Sequence, residues 1–200
     1  MKVGVLALQG GVTEHLYMAR AALSRLGVAG EAVKVKRAQD LTDVDGLILP
    51  GGESTAMQRL MARTGLWEVV KDSLSEGLPA MGTCAGAILL ARAVKDREVE
   101  EPRLEALGAM NVEVVRNYFG RQRESFEVLL EIPALGGPPF KAVFIRAPAI
   151  IKAYSPAKPL AWMDNVVVAA EEEARLATVF HPELGPDIRL HEYWIQKIRK

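Results

Sequence analysis

The chain has 200 residues, half of them hydrophobic, and its 25 basic and 25 acidic side chains cancel. That length suits one domain, residues 1–200, with a full core, and a neutral balance offers no electrostatic handle for nucleic acid or an anionic membrane. A single cysteine excludes an internal disulfide and a cysteine-built zinc site, and no apolar run approaches the ~20 residues of a membrane helix, so a cytoplasmic protein acting on a small molecule or a protein is expected.

Lys2 to Leu8 is a continuous apolar run, the pattern of a strand covered on both faces. No signal-peptide pattern precedes it, so the expectation is mature sequence from the first residue. The run ends in Gln9-Gly10-Gly11, and a helix is predicted from Thr13 through Leu26, with Leu16, Ala19, Leu23 and Leu26 at helical spacing and Gly27 as its stop. Glu31–Val35 and Gly46–Leu49 read as further strands. After Pro50-Gly51-Gly52-Glu53, Ser54 is the expected N-cap of a helix over Thr55–Arg63, and Leu66–Leu74 continues as a second helical piece. A strand at Leu78–Met81 turns at Gly82 into a helix that runs on from Gly86.

Four strands alternating with helices imply a parallel sheet with helices on both faces, joined by right-handed crossovers. Ligands on such sheets bind beyond the carboxyl ends of the strands, where Gln9-Gly10, Gly51-Gly52-Glu53 and Cys84 all fall. Arg92–Pro102 is charged and aperiodic and reads as loop. Beyond it the texture changes to short β-like segments at Asn111–Val115, Ser125–Ile132, Ala142–Ile145, Leu160–Met163, Val166–Ala170 and Leu176–Phe180. These are expected to be mainly antiparallel, some extending the sheet and some forming a flap, before a last helix over Asp187–Ile198. The fold class is therefore α/β: three layers, flavodoxin-like, with a mostly parallel central sheet and added antiparallel strands in the second half.

Gly82-Thr83-Cys84-Ala85-Gly86 places the one cysteine where a strand turns sharply into a helix, the geometry of a nucleophile elbow. Free N–H groups and the dipole at that helix start favour thiolate over thiol. A lone cysteine is otherwise an ordinary buried hydrophobe. His181-Pro182-Glu183 weighs against that alternative: on an extended backbone residues two apart share a side, so the Glu183 carboxylate reaches the His181 ring, with Pro182 stiffening the link. Nucleophile, base and orienter are then all present. Of the other histidines, His15 falls near the Gln9 loop and His191 within the last helix, neither with an obvious carboxylate partner.

The elbow and the His-Pro-Glu segment resemble those of the class I, triad-type glutamine amidotransferases. Within that family the chain is similar to the glutaminase subunits of pyridoxal 5'-phosphate synthase. The segments that carry the likeness run from Gly4-Val5-Leu6-Ala7-Leu8-Gln9-Gly10 and Leu49-Pro50-Gly51-Gly52-Glu53-Ser54-Thr55 through the elbow and Arg116-Asn117-Tyr118-Phe119-Gly120-Arg121-Gln122 to Phe144-Ile145-Arg146-Ala147-Pro148 and Phe180-His181-Pro182-Glu183-Leu184. Two positions depart: Ala149 stands where the family commonly carries histidine, and Ala80-Met81 where a bulkier aromatic is often seen.

The resemblance implies hydrolysis of L-glutamine to glutamate and ammonia by a Cys84–His181–Glu183 triad. Gly52, Glu53, Ser54, Arg116, Ile145 and Arg146 would surround the glutamine, and the backbone N–H groups of Gly52 and Ala85 would form the oxyanion hole. No metal or other cofactor is implied. The partner implied is the synthase subunit, in a large hetero-oligomer that receives the ammonia; docking would switch on a weakly active chain through an activation loop at Gln9 and Gly10. The same broad fold also admits a glutaminase for another synthase, an elbow-cysteine peptidase or deglycase, and an interaction module without activity.

Overall fold

The computed structural model describes residues 1–97, 104–120 and 125–199. The first half alternates β1 (Lys2–Leu6), α1 (Val12–Arg25), β2 (Glu31–Val35), β3 (Gly46–Leu49), α2 (Ser54–Arg63), α3 (Leu66–Ser75), β4 (Ala80–Thr83) and α4 (Ala85–Leu90). The second half runs β5 (Ala91–Asp96), β6 (Met110–Arg116), β7 (Phe126–Leu130), β8 (Phe140–Phe144), β9 (Ala149–Ala153), β10 (Lys158–Met163), β11 (Val166–Glu172), β12 (Arg175–Thr178) and α5 (Arg189–Ile198). No helix among the described residues is long and apolar enough to cross a membrane.

The large sheet has the order β2-β1-β3-β4-β12-β11-β9-β6-β5, with β10 paired to β11. Strands β2, β1, β3, β4 and β12 are parallel. The chain steps one way from β1 to β2 and the other way from β3 to β4, so right-handed crossovers send α1 and the α2–α3 pair to opposite faces. Helices α1 and α5 pack together, as do α2, α3 and α4. The central strands bury every residue of β3 and β4, which is why they read as apolar runs and not as alternating ones.

Two segments differ from the sequence reading. Arg92–Asp96, the start of the expected loop, belongs to edge strand β5 (Ala91–Asp96), paired in parallel with β6 on one side; Arg92 and Lys95 are exposed along it, so no strand periodicity shows. The rest of that expected loop, from residue 98, lies outside the described residues. Ala149–Ala153 is an additional strand, β9, between β11 and β6. A cap also moves by one residue. Glu53, not Ser54, is the N-cap of α2, its carboxylate accepting from the Ala56 N–H at 2.6 Å, and Ser54 is the first helical residue.

Strands β7 and β8 form a separate antiparallel ribbon, the expected flap. An aromatic stack ties it to the sheet: Phe126 stacks on Phe144 at 4.7 Å between ring centroids, and Phe144 and Phe140 lie 5.6 and 5.9 Å from Phe180. These rings bury large apolar areas immediately before His181.

Candidate active site

The end of β4 sets the position of Cys84. Its backbone is held at φ 49°, a left-handed value rare for a side-chain-bearing residue, and its N–H donates to the Thr178 carbonyl of β12 at 2.8 Å. The elbow is tight because α4 must start against β3: a Cβ on Gly86 would stand 1.9 Å from the Leu49 carbonyl oxygen. Glycine is the residue that allows that approach.

His181 follows β12, the strand next to β4. Its N–H donates to the Val143 carbonyl of β8 at 2.8 Å, so the flap fixes its backbone. The ring lies over Gly51, where an added Cβ would meet its Cε1 at 2.3 Å. His181 Nδ1 and Glu183 Oε1 are 2.8 Å apart. The expected pairing is present, but its geometry is corrected: Pro182–Leu184 is a turn of 3-10 helix and not an extended strand, so Pro182 starts a turn that folds Glu183 back under the ring. Burial disfavours charge on the ring, yet hydrogen bonds to Cys84 and Glu183 and their negative charge outweigh it and raise its pKa to about 10.

Cys84 and His181 open into a cleft of about 250 Å³. Gly52, Glu53, Ser54, Arg116, Ile145 and Arg146 all line it, with Ile88 and Asn117 completing the wall. Arg116 bridges Glu53 at 3.1 Å and Asp96 at 3.2 Å, and Arg146 donates to Asn117 Oδ1 at 3.4 Å. Burial pushes the Glu53 carboxyl up, but hydrogen bonds from Thr55 and Ala56 and the Arg116 charge hold it below its ordinary value. Cys84, Asn117 and Arg146 are three of the five described non-glycine residues with positive φ, so backbone strain concentrates around this cleft. The Ile145 carbonyl lies 3.9 Å from the Cys84 sulfur.

Ala85 opens α4, where its N–H has no partner within the helix. Gln9 reaches across to the β3 loop: its Nε2 donates to the Glu53 carbonyl at 2.8 Å and its Oε1 accepts from the Glu53 N–H at 3.3 Å. The Gly10 carbonyl accepts from Val12 at the start of α1, and the neighbouring Gly11 N–H donates to the Gly51 carbonyl at 3.4 Å. Residues 121 and 122 of the Arg116–Gln122 segment lie outside the described residues.

Sequence reasoning missed one neighbour. His15, read as lacking a carboxylate partner, is buried with its Nε2 3.4 Å from Glu183 Oε2 and 3.0 Å from Thr83 Oγ1. No local spacing could have signalled it, because α1 meets the β12 loop only through the folded sheet.

An elbow cysteine facing a carboxylate-backed histidine, at the carboxyl edge of an open α/β sheet, is the arrangement of triad-type cysteine amidohydrolases. Comparison with known proteins narrows the class. The chain belongs to the SNO glutamine amidotransferase family, which it matches over residues 5–200. A relative from Aeropyrum pernix named pyridoxal 5'-phosphate synthase subunit PdxT is 54% identical over 204 residues, with 100% of both chains covered. One of the same name from Caldivirga maquilingensis is 51% identical over 201 residues, again across 100% of both. A crystal structure described as a glutamine amidotransferase superposes with a TM-score of 0.84 at 41% identity, covering 99% of each chain. PurLQS from Thermotoga maritima, at 15% identity and a TM-score of 0.57 over 99% of this chain and 97% of that one, shares the fold.

Proposed function

We propose that the whole chain, residues 1–200, is one glutaminase domain that hydrolyses L-glutamine and passes the ammonia to a pyridoxal 5'-phosphate synthase subunit in the cytoplasm. The observation that carries this reading is Cys84 and His181 opening together into a cleft walled by two arginines and a glutamate. Glutamine presents an α-carboxylate and an α-ammonium at one end and an amide at the other. Arg116 and Arg146 match the carboxylate and Glu53 the ammonium, which leaves the amide to reach Cys84.

The Cys84 thiolate attacks the amide carbon. Charge on the resulting oxygen is met by the N–H groups of Gly52 and Ala85, donors of a kind worth about 3 kcal/mol each in such sites. His181, protonated at neutral pH, gives its proton to the departing nitrogen, and ammonia leaves a thioester on Cys84. Acylation removes the negative sulfur that helped hold the proton on His181. The ring's proton affinity falls at the step where a base is needed, and His181 then takes a proton from the water that hydrolyses the thioester. Glu183 keeps the ring oriented throughout.

The relatives' name supports a synthase partner. Because Gln9 clasps the backbone of Glu53, next to Gly52, a partner that shifts the Gln9–Gly10 loop would also shift the proposed oxyanion donor. Ammonia release by the purified chain, with and without the synthase subunit and with Cys84→Ala as control, tests the proposal. Stimulation by the synthase and a silent variant are expected; no release in any mixture overturns it, and full turnover by the isolated chain overturns the activation step.

A further inference from the structure

Behind the proposed triad lies a pair of imidazoles that the mechanism above does not use. His15, on α1, and His191, on α5, are both fully buried, with His15 Nδ1 3.0 Å from His191 Nε2. Three polar facts constrain their protons. His191 Nδ1 is buried without a hydrogen-bond partner, as is Glu183 Oε2, and His15 Nε2 faces that carboxylate oxygen at 3.4 Å and Thr83 Oγ1 at 3.0 Å.

A neutral imidazole has one N–H, so two arrangements exist for the pair. If His15 carried its proton on Nδ1 and donated to His191, then His191 would hold its own on Nδ1, an orphaned buried donor. His15 would also turn a bare nitrogen lone pair toward the Glu183 carboxylate. Both features are costly. If His191 donates from Nε2 to His15 Nδ1, the unpartnered atom is only an acceptor, and His15 points an N–H at Thr83 and Glu183. The second arrangement wins on both counts. Burial lowers the pKa of His15 well below its ordinary value, with the charges of His191 and His181 adding to it, and burial lowers that of His191 to about 3, so both rings are neutral at pH 7.

The geometry points to His15 as a positioning residue for the proposed hydrolysis, its Nε2–H donating to Thr83 at the shoulder of the elbow and turned toward the Glu183 carboxylate behind the base at 3.4 Å, with His191 fixing its tautomer. Thr83 adjoins the nucleophile and Glu183 orients His181, so one ring sets the spacing between the two halves of the triad. His15 does not line the substrate cleft. Its loss is therefore expected to reduce kcat and leave KM for glutamine unchanged.

The inference rests on the glutaminase reading, and the test separates the two. Ring nitrogen shifts of ¹⁵N-histidine in the full chain, which has three histidines, report tautomers without turnover. Nε2–H on both His15 and His191 at pH 7 is expected; Nδ1–H or a protonated ring at His15 overturns the proposal. In His15→Leu, kcat should fall about tenfold, the effect of leaving the buried groups it faces unsatisfied, and alkylation of Cys84 by iodoacetamide should slow. His15→Gln, which sets an amide N–H near the place of Nε2–H, should recover part of both. Wild-type kcat and alkylation in His15→Leu, or no recovery in His15→Gln, overturn it. Should glutamine hydrolysis fail for the native chain, the tautomers and the alkylation rates still decide the role of His15.

Discussion

The charge state of His181 is set by two partners that differ in permanence: Glu183 is fixed beneath the ring, whereas Cys84 changes charge during the proposed reaction. Cys84→Ala should accordingly lower the His181 pKa from about 10, read by NMR titration of the ring. An unchanged value would mean that Glu183 alone holds the proton. Gly51 makes a second prediction. Its φ is not in the left-handed region, so alanine is compatible with the backbone, but the new methyl would occupy the place of the His181 ring. Gly51→Ala should fold with a near-native melting temperature and lose about 10²-fold in kcat/KM, the effect of displacing a reacting group by about 1 Å. The Cys84–His181–Glu183 grouping was legible in the chain because elbow and His-Pro-Glu are local patterns. Glu53 as the cap was not, since a serine one residue later satisfies the same rule, and the choice depends on where Gln9 and Arg116 pull the glutamate.

At the scale of elements, the flap is what joins the site. Strand β8 accepts the His181 N–H through Val143 and, two residues on, brings the Ile145 carbonyl to the Cys84 sulfur. Its hold on the sheet is the stack of Phe126, Phe144, Phe140 and Phe180. Phe144→Ala, at a buried ring, should destabilise the protein by about 3–5 kcal/mol in urea unfolding. Glutamine hydrolysis should fall further than the folded fraction accounts for, because His181 loses its backbone anchor; proportional losses would show the flap to be packing only. The parallel half of the sheet was readable because buried central strands are uninterrupted apolar runs. Edge strand β5 was not, because a strand paired on one side keeps its charges in solvent, and β9 was hidden behind the Phe144–Pro148 segment, whose apolar character continues into it.

For the whole molecule, the three histidines define a pH profile of stability. His15 and His191 bind protons more weakly folded than unfolded, so the unfolded chain gains protons as pH falls below about 6.5 and stability drops by about 1.4 kcal/mol per pH unit for each. His181 has the opposite sign: its contribution is full below about 6.5 and is lost as pH rises toward about 10. Chemical denaturation across pH 5–9 should show a maximum near 6.5, and His191→Phe should flatten the acid side; a plateau through that range would contradict the buried neutral pair. The position of β12 has a consequence for biosynthesis. This strand, residues 175–178, inserts between β4 and β11, at the middle of the sheet. During translation β4 therefore presents an unpaired inner edge until β12 has left the ribosome, and neither His181 nor the Thr178 carbonyl that holds the Cys84 N–H is present before then. On the proposed mechanism, a nascent chain stalled before His181 carries Cys84 without its base and does not hydrolyse glutamine.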